Sequence, residues 1–185
     1  MALTKTPVCD FGKKAKDFKL KSINNKIITL NDIQGEKATL IMFICNHCPY
    51  VKAIIKDLAK DCNELKNDGI NSVAIMSNDT KNYPEDSFDN MIKFAENNAF
   101  GNIDYLFDET QEIAKKYGAV CTPDFFGYNK NLELQYRGRF RELKDLKPIN
   151  NGDSDLKIAM KMVAQTQKGP DEQIPSMGCN IKWFN

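Results

Sequence analysis

Two cysteines separated by two residues, in Cys45-Asn46-His47-Cys48, carry the most reactive chemistry in this sequence. A thiolate attacks disulfides and peroxides, and a neighbouring thiol can resolve the mixed disulfide that forms. Zinc sites use the same spacing, so the position of the pair matters. It falls between an unbroken apolar run, Ala38 to Ile44, and a stretch from Pro49 to Lys66 that is apolar at helical spacing. A buried strand would there give way to a helix. The free N–H groups at a helix start favour negative charge and ease the loss of a thiol proton.

Two registers are open, and they assign different roles. In one, Cys45 attacks and Cys48 resolves. In the other, Cys48 caps the helix with Pro49 as its first residue. Proline suits that place because its φ is already helical and it lacks an N–H that would go unpaired. The capping preference leans to Cys48 as the thiolate and Cys45 as its partner. His47, the one histidine in the chain, would favour a nearby thiolate when protonated; otherwise it is an exposed loop residue.

Cys121-Thr122-Pro123 precedes a second apolar stretch. A proline that starts a strand beside a redox site is a candidate cis peptide, against the trans form most X–Pro bonds take. Cys121 reads either as a third thiol at the site or as a small buried residue. Cys62 falls on the apolar helix face and reads as packing. Cys9 lies in a polar segment with no evident partner. Cys179 lies in the tail. A resolving role is open to it only if the fold brings it close, which sequence spacing does not show.

The elements that position these residues read as mixed α and β. Phe18 to Leu30 alternates across Asn24-Asn25 as a hairpin. Ala38 to Ile44 and Ile70 to Ser77 are strands buried on both faces. The long helix ends at Asn67-Asp68-Gly69, with Gly69 in the left-handed position. Asn78 to Asp86 is a loop, and Ser87 caps a helix to about Glu96. Ile103 to Phe107 is a strand, and Thr110 caps a helix ending near Tyr117-Gly118. Asp124 to Tyr128 and Leu132 to Gly138 form a second hairpin. Asp155 to Thr166 is a helix. The tail from Pro170 is expected to dock through Trp183 and Phe184.

The chain has 185 residues, a length that fits one domain over 1–185. Its 26 basic and 25 acidic residues leave a net charge of +1, so no field draws nucleic acid or an anionic membrane. Clusters such as Lys13-Lys14-Ala15-Lys16 read as solvated surface. No apolar run approaches the ~20 residues that span a bilayer, and the first residues lack the pattern of a secretory leader. A cytoplasmic setting is expected. In a reducing compartment a CxxC reads as catalytic or metal-binding.

A strand, CxxC, a long helix and then Thr-Pro before a late hairpin resemble the thioredoxin fold. The resemblance implies an α/β chain with a central mixed sheet flanked by helices and an N-terminal β-hairpin extension. It also implies that Pro123 is cis and that the Thr122 backbone is free to pair with a substrate strand. Four segments are similar to a narrower group: the Phe18–Leu30 hairpin, CNHCPYV (Cys45 to Val51), VCTPDFF (Val120 to Phe126) and PSMGCNIKW (Pro175 to Trp183). That group is the peroxiredoxin-like proteins of the alkyl hydroperoxide reductase and thiol-specific antioxidant (AhpC/TSA) type.

True peroxiredoxins carry PxxxTxxC. With Cys48 as the peroxidatic cysteine, the threonine place holds Cys45 and the proline place Ile41. None of Arg137, Arg139 or Arg141 can be matched to the family arginine. The expectation is a thiol–disulfide oxidoreductase with Cys48 and Cys45 as its dithiol and Thr122 and Pro123 at the substrate, with His47 and Cys121 as candidate auxiliaries. It needs no metal or organic cofactor. It would act on a protein or small-molecule disulfide and be recycled by a dithiol reductant. The alternatives are a thiol peroxidase, a copper- or zinc-binding protein using Cys45, His47, Cys48 and Cys121, and a redox-inactive binding module.

Overall fold

The computed structural model describes residues 3–184. In chain order the elements are β1 (Leu3–Lys5), β2 (Lys19–Ser22), β3 (Ile27–Thr29), the one-turn helix α1 (Leu30–Ile33), β4 (Ala38–Phe43) and α2 (Pro49–Leu65). Then come β5 (Ile70–Met76), α3 (Phe88–Asn97), β6 (Asp104–Phe107), α4 (Glu112–Tyr117), β7 (Cys121–Thr122) and β8 (Asp124–Asn129). β9 (Leu134–Tyr136), β10 (Leu143–Lys144), β11 (Lys147–Pro148), α5 (Asp155–Thr166) and β12 (Met177–Asn180) complete the order.

The main sheet has seven strands in the order β3-β2-β6-β5-β4-β8-β9. Strands β4, β5 and β6 run parallel, joined by crossovers through α2 and α3, and the outer pairs are antiparallel. The run Ala38 to Ile44 is apolar throughout because β4 is central and covered on both faces. Leu40, Met42 and Ile44 point into one core with Val51, Ile54 and Leu58 of α2 and Met160 and Val163 of α5. Ile41 and Phe43 point into the other, with Leu30 and Ile33 of α1 and Ile113 and Tyr117 of α4. Burying one such side chain contributes about 1.5–3 kcal/mol, so the β4–α2 junction is anchored from both sides.

The hairpins, the buried strands and helices α2, α3 and α5 lie where the sequence places them. Ser87 caps α3 by accepting from Asn90 N at 3.4 Å, and Gly69 takes φ 78°. Helix α4 departs from expectation. The residue before it is Gln111 at φ 63°, not Thr110, and Asp108 satisfies its first N–H groups. Asp108 accepts from Ile113 N at 3.2 Å and Ala114 N at 2.9 Å. A carboxylate takes two orphan donors, whereas the Thr110 hydroxyl meets only Glu112 N, at 3.4 Å.

The tail also differs. Trp183 and Phe184 are 38 % and 44 % exposed and dock it only in part, through Lys115 Nζ over the Trp183 ring at 5.6 Å and the Phe184 N–H on Gln111 Oε1 at 2.8 Å. It is held mainly by β12, by buried Ile181, and by backbone bonds at Lys182, whose N–H donates to Asn78 Oδ1 and whose carbonyl accepts from Asp79 N. Strand β12 lies between β1 and β7 in a second, three-stranded antiparallel sheet. No helix among the described residues is long and apolar enough to cross a membrane.

Candidate active site

Cys48 is the N-cap of α2, with extended backbone (φ −64°, ψ 124°) and Pro49 at the first helical position. This is the second of the two registers. The residue after the cap is one whose N–H would go unpaired in any case, and proline has none. The cap makes no conventional side-chain hydrogen bond, but the Val51 N–H of the first turn favours the charged sulfur.

The thiol of Cys48 is drawn from an ordinary 9.0 down to about 5. Its largest cause is a hydrogen bond from the Cys45 thiol, helped by Val51 N–H and by Cys179 against the cost of burial. One contact pulls the other way: Thr122 O lies 3.1 Å from the sulfur and accepts from the protonated thiol. The donors outnumber it, and a charged sulfur gains more from each than a neutral one does. Cys45 moves in the opposite direction, held well above 9.0 first by its bond to Cys48 and then by burial. Its Sγ is 3.3 Å from Thr122 Oγ1. One proton is thus shared unequally, with Cys48 as the thiolate and Cys45 as the thiol. Both are buried, at 0 % and 1 % exposed.

The Thr122–Pro123 bond is cis. Thr122 meets both sulfurs, Cys48 by its carbonyl and Cys45 by its hydroxyl. Its backbone edge is not free, however. β12 pairs with β7 so that Cys179 lies opposite Thr122 and Asn180 opposite Cys121. The tail occupies the place that the resemblance leaves to a substrate strand. Beside this edge a cleft of about 470 Å³ runs past Pro123, Tyr50, Phe140, Arg139, Arg141 and Met177.

His47 engages a carboxylate rather than a thiol. Its Nδ1 is 2.7 Å from Asp86 Oδ2 and its ring stacks on Tyr83, centroids 5.6 Å apart. The Asp86 bond raises the His47 pKa above 6.5, and Cys48 is the least of the influences on it. Asp86 is the residue that the sequence did not single out. Fully buried, it accepts from Asn46 N at 2.8 Å, His47 N at 3.3 Å and Asn78 Nδ2 at 2.8 Å as well as from His47 Nδ1. Asn46 is clamped further by Tyr105 OH at 2.9 Å and by Glu85 O at 3.1 Å. The loop between the two cysteines is therefore tied down at both Asn46 and His47. Only Pro84 nearby hinted at an ordered turn.

Cys121 is buried, its thiol 3.5 Å from Pro123 O and held protonated by desolvation. Cys62 packs inside α2, where burial pushes it up to about 12. Cys9 is half-buried and pushed up to about 11. Arg137 and Arg139 are engaged by carboxylates, and Arg141 by the Asn150 carbonyl at 3.2 Å. Arg137 holds Asp124 at 3.0 and 3.3 Å, Arg139 holds Asp155 and Glu142, and Arg141 lies 4.0 Å from Asp57. Among the described residues none of the three hydrogen-bonds to a site thiol. Cys45, His47 and Asp86 place one donor atom each within 4.8 Å of one another, a spacing that could hold an ion. A metal would have to displace the Nδ1–Oδ2 bond and strip the proton from Cys45, the thiol least ready to lose it.

A central mixed sheet, a CxxC at a strand-to-helix junction and a cis Thr-Pro facing it define a thioredoxin-fold protein with a thiol centre. The chain belongs to the AhpC/TSA family, a family of thiol redox proteins, whose model matches residues 11–140. It is similar over 100 % of its length, at 38 % identity and TM-score 0.94, to an uncharacterised conserved protein from Geobacillus kaustophilus, covering 97 % of that chain. A hypothetical protein from Sinorhizobium meliloti is 36 % identical with TM-score 0.90, over 98 % of each chain. The thioredoxin domain of a thiol-disulfide oxidoreductase from Bacteroides vulgatus shares the fold, at 16 % identity and TM-score 0.59, over 70 % of this chain and 89 % of that one. A search of curated proteins finds no significant match.

Proposed function

We propose that the protein is a thiol–disulfide oxidoreductase in which Cys48 is the nucleophile and Cys45 resolves. The observation that carries this reading is the place of Cys48 at the N-cap of α2, with Pro49 after it and Thr122 against both it and Cys45, an arrangement that lowers the Cys48 pKa and raises that of Cys45. The Cys48 thiolate attacks one sulfur of a disulfide, the S–S bond breaks, and the departing thiolate takes a proton. With Cys48 bonded, its negative charge is gone, and so is the largest cause holding the Cys45 proton. Cys45 then attacks Cys48 Sγ and releases the second substrate thiol. The protein gives up two electrons and ends as the Cys45–Cys48 disulfide, which a dithiol reductant restores.

The dithiol reading is preferred to a peroxidase because Cys45 stands where a hydroxyl would orient peroxide and the three arginines are engaged elsewhere. Because the thiols are closed off by β12 and the helix start, the first substrates to try are small disulfides. Pro123 lines the neighbouring cleft, which could hold the rest of the substrate, and Thr122 lies buried behind it against both sulfurs. In a reducing setting such as the cytoplasm the resting form is the free dithiol.

The test is turnover of glutathione disulfide or a chromogenic aromatic disulfide by wild type, Cys48→Ser and Cys45→Ser, with alkylation trapping and mass spectrometry. Cys48→Ser is expected to be inert. Cys45→Ser is expected to lose the Cys45–Cys48 disulfide while its Cys48 still reacts. Wild-type activity retained in Cys48→Ser would end the reading.

A further inference from the structure

A third thiol lies within bonding reach of Cys48 and has no part in the exchange described above. Cys179 Sγ is 3.2 Å from Cys48 Sγ, and the two residues are 131 apart in the chain. A disulfide bond is about 2.05 Å long, so the gap to close is of the order of 1 Å, within reach of a side-chain rotation.

The approach is built by the backbone. Strand β12 lies antiparallel on β7 with Cys179 opposite Thr122, the residue whose carbonyl and hydroxyl meet the two CxxC sulfurs. At Gly178 an added Cβ would come within 2.0 Å of Thr122 O, so a side chain there is incompatible with the pairing. On one side of the cysteine, Ser176 Oγ donates to Pro123 O at 2.8 Å. On the other, Ile181 is buried with its N–H on Val120 O at 3.3 Å. β1 closes the outer edge. The tail thus lies along the Thr122 edge as a substrate strand would, with its cysteine against the nucleophile.

We propose that Cys179 is a second resolving thiol: β12 acts as an internal substrate strand, and the protein forms a Cys48–Cys179 disulfide as well as a Cys45–Cys48 one. This rests on Cys48 being the nucleophile. Once Cys48 carries half of a substrate disulfide, the Cys179 sulfur attacks Cys48 Sγ. The bond from Cys48 to the substrate sulfur breaks, and the leaving thiolate takes the proton from Cys179. Substrate has gained two electrons and the protein has lost two. Cys45 can then attack Cys48 Sγ in turn and return Cys179 to the thiol, moving the disulfide into the CxxC. The order is enforced electrostatically. Burial first, and then the bond to the Cys48 thiolate and its charge, keep Cys179 protonated at about 12, and both of the latter vanish when Cys48 reacts.

Full-length wild type, Cys45→Ser, Cys179→Ser and Gly178→Ala are oxidised with diamide, a two-electron thiol oxidant. They are then blocked with N-ethylmaleimide and digested with trypsin without reduction. Cys45 and Cys48 share the peptide Ala38–Lys52, while Cys179 lies in Gly169–Lys182. A Cys45–Cys48 bond therefore removes two hydrogens from one peptide, and a Cys48–Cys179 bond joins two peptides. The joined peptides are expected as the main oxidised product of Cys45→Ser. They are expected to be lost in Gly178→Ala, which keeps all three thiols, and in Cys179→Ser, both of which still form Cys45–Cys48. Cys45→Ser in which Cys48 is consumed but Cys179 remains fully alkylated would overturn the proposal and leave the dithiol reading standing. Cys48 unoxidised in all four proteins would overturn both.

Discussion

The acidity of Cys48 has a signature that does not depend on how well reagent reaches the site. With a pKa near 5, about 99 % of Cys48 is thiolate at pH 7, against about 1 % for a thiol at its ordinary 9.0, a gain of about a hundredfold. Intrinsic nucleophilicity falls with pKa at a Brønsted slope of about 0.4–0.5, which over four units costs about 40–100-fold. The two nearly cancel, so the rate at neutral pH discriminates poorly. The pH profile does better. From pH 7 to about pH 5.5 the thiolate share of Cys48 falls only about 1.3-fold, whereas a thiol titrating at 9 or above loses about 30-fold. Cys9, half-buried and near 11, supplies the comparison within the same molecule. The assay is pulse alkylation with iodoacetamide across this range, read in peptides Ala38–Lys52 and Thr6–Lys13. The label is expected on Cys48, with a flat profile down to about pH 6. A 30-fold fall for both peptides, or label found on Cys45, would refute the assignment of the thiolate.

Three further outcomes follow from the packing. Asp86 raises the His47 pKa, so their ion pair stabilises the fold fully below 6.5 and its contribution is lost as pH rises through the raised value. The difference in urea midpoint between wild type and His47→Gln is therefore expected to be larger at about pH 6 than at about pH 9, and the reverse order would count against the pair. Arg137→Met leaves Asp124, fully buried, without its partner and is expected to cost about 3–5 kcal/mol in denaturant titrations, less at acid pH where Asp124 takes up a proton. Leu58→Ala, which empties a 1 % exposed site between α2 and the sheet, is expected to cost about 2–5 kcal/mol by the same measurement.

Much of the frame was legible because its signals are local. An unbroken apolar run declared β4, alternation declared the β2–β3 hairpin, and helical spacing declared α2 and α5. Pro49 alone selected the register that puts Cys48 at the cap. The three-stranded sheet was not legible. Its strands are two to four residues long, and its pairings join residues as far apart as Leu3 and Cys179, beyond any window in which periodicity can be read. Asp86 was hidden for a different reason. A carboxylate in a polar loop reads as solvated, and only the convergence of donors from Asn46, His47 and Asn78 reveals why it is buried. At α4, Asp108 and Thr110 are both good capping types, and the left-handed turn at Gln111 decided between them. Trp183 and Phe184 dock the tail only in part, while Ile181, less conspicuous, supplies the buried anchor.

The long separation between the CxxC and β12 also has a consequence for synthesis. The CxxC leaves the ribosome 131 residues before its covering strand, an interval of about 7–26 s at ordinary elongation rates. From the emergence of Thr122 until that of Cys179 the sheet edge there has no tail upon it, and through the whole interval the nascent chain carries a thiol that β12 does not yet shield. The redox centre is completed from the opposite end of the polypeptide, so a chain released before β12 would be an uncapped dithiol with an open strand edge, a species prone to mixed disulfides and to pairing with foreign strands.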